Sequence, residues 1–118
     1  MAKAARKVIG GVDTHADSHC AAVIDQAGRL LGTREFDSDR PGCEQLLRWL
    51  RRHGELTAVG VEGCGSYGAG LMRLLTERHV AVVEVDRPNR RDRRRRGKSD
   101  PLDAEAAARA SLSTCLCK

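Results

Sequence analysis

The sequence predicts an α/β fold: a mixed five-stranded sheet in the order 3-2-1-4-5, its second strand antiparallel, with helices flanking it. Three observations carry this expectation. Short apolar runs separated by turn residues fill the first third of the chain. Apolar residues at helical spacing then interleave with two further apolar runs. The first and fourth of the five runs each end on an acid. Three strands followed by alternating helix and strand suit one mixed sheet with helices packed on it, and 118 residues hold one core rather than two.

Residues 8–13, Val-Ile-Gly-Gly-Val-Asp, read as a buried strand ending on a charge, and residues 20–25 as a second. Gln26-Ala-Gly28 turns the chain into a third strand over 29–37, and so short a connection makes a hairpin. Asp39-Arg-Pro-Gly42 breaks the pattern. Cys43, Leu46, Leu47 and Leu50 then fall at i, i+3, i+4 and i+7, one apolar stripe of a helix, with Arg48, Arg51 and Arg52 facing away. Gly54 is expected to end that helix as a left-handed cap. Residues 57–62 form a fourth strand. The Gly-rich turn over 63–68 lacks the Lys-Ser/Thr ending of a phosphate loop. A second helix carries Leu71, Leu74 and Leu75, residues 80–85 form a fifth strand, and a short Ala-rich helix starts near Pro101. Right-handed crossovers make the first, fourth and fifth strands parallel. The C-terminal ends of the first and fourth then lie together, at the edge where open α/β sheets place their sites.

Phe36, Trp49 and Tyr67 are the only aromatics, so the core must be aliphatic. No apolar run nears the roughly 20 residues that cross a bilayer, and no signal-peptide h-region follows the basic N-terminus. The expectation is a cytoplasmic protein with no membrane partner. Five cysteines, an odd number with no C-x-x-C pair, argue against a disulfide framework or structural zinc. Cys20, Cys43 and Cys64 read as small buried hydrophobes.

Charge is concentrated. The chain carries +5, but residues 87–98 alone carry +7, from Arg87, Arg90, Arg91, Arg93, Arg94, Arg95, Arg96 and Lys98 against Asp92. Arginines outnumber lysines 17 to 4, and the guanidinium fork grips phosphate in two places. This segment is the candidate nucleic-acid-binding site; the blander reading is a solvated loop.

Asp13 and Glu62 close neighbouring strands, about 4.8 Å apart. Two carboxylates at that spacing repel unless a cation lies between them, and hard oxygen ligands favour Mg²⁺ or Mn²⁺. Asp100 and Asp103 lie at i and i+3. Local chemistry favours a capping role for them, because Asp100 precedes Pro101 as an N-cap and Asp103 follows at N3. His15, Asp17 and His19 offer a zinc set, the lesser reading where a hairpin begins.

Gly11-Val-Asp-Thr-His15, Val61-Glu-Gly63 with Tyr67-Gly68, and above all Arg94-Arg-Arg-Gly-Lys-Ser-Asp-Pro-Leu-Asp-Ala-Glu-Ala-Ala-Ala-Arg109 resemble the DEDD transposase family of bacterial insertion sequences. The pilin gene-inverting recombinase is a relative. Over residues 6–110 the resemblance implies a RuvC-like, RNase H-type domain, with 111–118 a divergent tail. It places the family's four catalytic, metal-binding acids on Asp13, Glu62, Asp100 and Asp103, and shifts the last two from capping towards metal. It further implies two Mg²⁺ or Mn²⁺ ions, DNA transposition by site-specific recombination, DNA as partner, a structured guide RNA in some members, and a homo-oligomer at full length. Family members continue into a helical linker and a domain bearing a catalytic serine, so this chain is expected to be a truncated copy. Two alternatives stand beside that reading: a non-catalytic nucleic-acid-binding module that uses the Arg-rich segment, and a stand-alone RuvC-like nuclease.

Overall fold

A computed structural model describes residues 6–63, 67–85 and 101–116. The elements are β1 (Lys7–Thr14), β2 (Ser18–Asp25), β3 (Leu30–Asp37), α1 (Arg40–Arg51), β4 (Glu55–Glu62), α2 (Ala69–Glu77), β5 (Val82–Val85) and α3 (Pro101–Leu116). The sheet order is β3-β2-β1-β4-β5. β2 runs antiparallel to both β1 and β3, whereas β4 is parallel to β1 and β5. The predicted topology is therefore the observed one. Among the described residues no helix is long and apolar enough to cross a membrane.

Strand alternation divides the apolar side chains between two faces. Val8 and Val12 of β1, Ala21 and Val23 of β2, Phe36 of β3, and Val59 and Val61 of β4 meet Cys43, Leu46, Leu47 and Leu50 of α1 and Leu71, Leu74 and Leu75 of α2. Full burial of each large aliphatic chain contributes about 1.5–3 kcal/mol, so this face supplies most of the stability. The other face is thinner. There Ile9, Ile24 and Ala108 form one cluster, with Leu112 packed against it, and Cys20, Ala22 and Ala104 form another.

α1 begins where the Asp39 carboxylate accepts the Gly42 amide at 2.9 Å, with Pro41 in the first turn. Its end differs from expectation. The cap residue is Arg52, in right-handed conformation, and Gly54 follows at φ +155°, not left-handed helical. A Cβ there would overlap the Arg6 carbonyl oxygen, so close backbone approach is what requires the glycine. Burial pushes the Cys43 thiol pKa up, as suits a small core group.

α3 is longer than the short helix expected. It runs for 16 residues, with Ala104, Ala107, Ala108 and Ser111 buried at helical spacing. It lies on bare backbone. Gly11 of β1 and Gly60 of β4 are register partners. A Cβ on Gly11 would overlap the Ala104 carbonyl and the Ala108 amide, and one on Gly60 the Ala107 carbonyl. Two glycines side by side thus let the helix seat directly against the sheet. Arg109 ties it to the hairpin turn, donating to the Gly28 carbonyl at 2.7 Å and pairing with Glu105.

Candidate functional site

The seating of α3 decides which side chains meet. Asp13 and Glu62 are register partners at the C-terminal ends of two parallel strands. Each stands two residues beyond a seating glycine and so shares its face of the sheet. Asp103 precedes Ala104, the residue seated on Gly11, and reaches the same place from the first turn of α3. One carboxylate oxygen from each of the three lies within 4.8 Å of the others. Asp13, Glu62 and Asp103 are 4%, 2% and 6% exposed. Charges so far from water repel strongly unless something positive is shared among them. Three hard oxygen donors converging from three elements suit a divalent cation.

The structure therefore brings together three of the four predicted acids. Asp100 lies outside the described residues. So do Arg87, Arg90, Arg91, Arg93, Arg94, Arg95, Arg96 and Lys98, and also Cys64. Among the described residues, Asp13, Glu62 and Asp103 are the His, Cys, Asp or Glu side chains that gather in a group of three.

Neighbouring groups brace the cluster. The Thr14 hydroxyl donates across the strands to the Glu62 carbonyl at 2.7 Å, in a buried position. His15 Nε2 stands 3.6 Å from Asp13 Oδ2. The Tyr67 ring stacks on His15, centroids 6.5 Å apart and planes 13° apart, and is itself 55% exposed. In the sequence Tyr67 stands out as one of three aromatics and as part of the family motif. Its stacking on His15 crosses 52 positions, and no local spacing announces it.

The zinc reading of His15, Asp17 and His19 does not hold. His19 is buried, and its Nδ1 accepts the His15 backbone amide at 3.3 Å. The neutral ring then carries its proton on Nε2, which has no partner among the described residues. Burial, above all, holds the His19 pKa below its ordinary 6.5. The sign follows. The unfolded chain takes a proton near pH 6.5 and the folded one only lower, so this contribution is full above that pH and is lost as pH falls below it. Urea unfolding at pH 7.5 and pH 5.5 is expected to show the parent weakening by up to about 1.4 kcal/mol per pH unit, and His19→Gln weakening less. Equal pH dependence in both proteins would refute this account.

The DEDD transposase family model, described as "Transposase", matches residues 10–115. No curated protein matches the chain. Among solved structures, "T. thermophilus RuvC in complex with Holliday junction substrate" is similar at TM-score 0.53 and 17% identity, over 68% of this chain and 64% of that one. A second Thermus thermophilus RuvC structure gives TM-score 0.51 and 18% identity, over 67% and 63%. The chain thus spans less than two thirds of either RuvC chain. Identity this low speaks to architecture, and the architecture is RNase H-like: the mixed five-stranded sheet in the order found, with α3 laid across its centre.

Proposed function

We propose, from the premise that this chain belongs to the DEDD transposase family, that it is the metal-binding catalytic module of a DNA transposase that recombines an insertion sequence. The observation that carries the reading is the buried convergence of Asp13, Glu62 and Asp103. These three would hold Mg²⁺ or Mn²⁺, and with Asp100 they would hold two such ions. A divalent ion there would activate an attacking oxygen and offset charge on the phosphate under attack.

The chain's own residues do the positioning. β1 and β4 fix two carboxylates on rigid strands, Thr14 locks the strand ends together, and Asp103 closes the set from the helix. The exposed Tyr67 ring beside His15 offers a flat surface to the sugar or base next to the phosphate. The arginines of residues 87–98 would hold flanking phosphates, which positions a strand without reading its sequence. The family reading adds a structured guide RNA and further copies of the full-length chain as partners, in the cytoplasm where bacterial DNA lies.

The test is DNA affinity with Mn²⁺ and with chelator, for the parent and for Asp13→Asn. Duplex DNA and a four-way junction are both offered, because the similar RuvC was solved on a junction. Mn²⁺ is expected to tighten binding to one or both by an order of magnitude in the parent and to leave Asp13→Asn unchanged. Indifference to Mn²⁺ in both proteins refutes the metal reading and favours the non-catalytic binding module. In that case binding falls with salt at a slope of about −0.9 per phosphate contacted, and neutralising Arg93 to Arg96 flattens it. Mn²⁺-dependent cutting of the junction by this chain alone would favour the nuclease reading.

A further inference from the structure

Across the sheet from α3, at its β3 edge, α1 and β3 enclose a cleft of about 330 Å³. Arg34, Phe36, Gln45, Arg48, Trp49 and Arg52 line it, three guanidiniums with no carboxylate among them. Its floor is aromatic. The Phe36 and Trp49 ring centroids lie 5.7 Å apart, tilted by 57°, and the His53 and Trp49 centroids lie 4.8 Å apart in a T-shaped pair. The Arg34 guanidinium lies over Phe36, 5.5 Å from the ring centroid.

Some arginines of α1 and α2 are tied down and some are not: Arg40 pairs with Glu44 and Glu77, and Arg78 with Glu44, whereas Arg51 and Arg73 form no ion pair with another described residue. Arg34, Arg48 and Arg52 are exposed, and no ion pair with another described residue holds them. Three like charges lining one cleft make a positive surface that suits an anion. The cleft is at the small end of ligand pockets, which suits one nucleotide. An aromatic face takes a base, guanidiniums take phosphate or stack on the base, and the Gln45 amide can bond a base edge. A duplex keeps its bases turned inward, so the base presented here must be unpaired.

We propose that this cleft binds an unpaired nucleotide of a single DNA strand, a second contact on the opposite face of the sheet from the acid cluster. The choice of DNA over RNA rests on the proposed function; the base-and-phosphate chemistry of the cleft does not.

Trp49 is the sole tryptophan of the chain, so its fluorescence reports the cleft alone. A short oligothymidylate is titrated in chelator, beside the same strand annealed into duplex and beside oligouridylate, with fluorescence anisotropy of the labelled strands recording binding anywhere. The expected result is saturable quenching by the single DNA strand and none by duplex. Arg48→Gln with Arg52→Gln should weaken the quenching about ten-fold and leave the urea midpoint in place. Quenching should persist when Arg93 to Arg96 are neutralised. DNA that binds by anisotropy without quenching, quenching by duplex to the same extent, quenching unmoved by the double variant, or quenching by oligouridylate alone would each overturn the proposal. No metal is present, so a failed metal site leaves this titration untouched and the two failures stay distinct.

Discussion

Asp103→Asn is expected to raise the thermal midpoint of the metal-free protein and to remove the further rise that Mn²⁺ gives the parent. Both halves come from one geometry. Three buried carboxylates with oxygens inside 4.8 Å repel one another. Two unit charges 4 Å apart interact by about 4 kcal/mol at the screening typical near a protein surface, so neutralising one relieves part of that load. A cation reverses the balance by binding the folded state alone. At a hundred-fold excess over its dissociation constant it stabilises by about 2.7 kcal/mol, or roughly 10 °C for a domain of this size. Differential scanning fluorimetry with and without Mn²⁺, joined to a calorimetric titration, reads both effects. The competing role for Asp103 gives opposite signs. A charge serving only the N-terminus of α3 contributes about 0.3–1 kcal/mol, so its loss would lower the metal-free midpoint and leave any Mn²⁺ response intact. That pattern, or a folded parent that ignores Mn²⁺, would reject the cluster as a metal site.

The same residue shows how far the sequence could be read. Asp13 and Glu62 were legible because strand ends are local: an apolar run stops on an acid, and crossover handedness makes the two strands neighbours. Asp103 was not legible from its surroundings, where Asp-Pro-Leu-Asp reads as a helix cap; only the family resemblance placed it with the strand acids. What joins it to them is a contact between elements about 90 positions apart, made possible where Gly11 and Gly60 fall in register. The length of α3 escaped for a related reason. Its buried face is Ala104, Ala107, Ala108 and Ser111, small groups that make a weak apolar signal and matter because they touch backbone. The cleft went unseen because Arg48 and Arg52 look like the wet side of an amphipathic helix, and nothing in their spacing shows that β3 brings Arg34 and Phe36 beside them.

Gly11→Ala and Gly60→Ala should therefore be among the most damaging single methyl additions available to this chain, and their signature should differ from that of Asp103→Asn. At both positions the added carbon meets helix backbone rather than the tip of a movable side chain, so relief requires α3 to lift. Overpacking costs about 1–3 kcal/mol where side chains can adjust; here the loss should reach or pass the top of that range, as a lower urea midpoint by far-UV circular dichroism. Gly70→Ala is the control. Gly70 is exposed, with nothing within 4 Å of an added Cβ, and the change should stabilise by about 0.4–1 kcal/mol through the unfolded chain. The lifted helix also carries Asp103 away from Asp13 and Glu62, so Mn²⁺ affinity should fall in whatever fraction stays folded. Stability and metal binding then fall together in the glycine variants and part in Asp103→Asn, where metal-free stability rises as binding disappears. Gly11→Ala matching the parent in urea would mean that α3 does not rest on these glycines, and the link between helix seating and carboxylate spacing would fail with it.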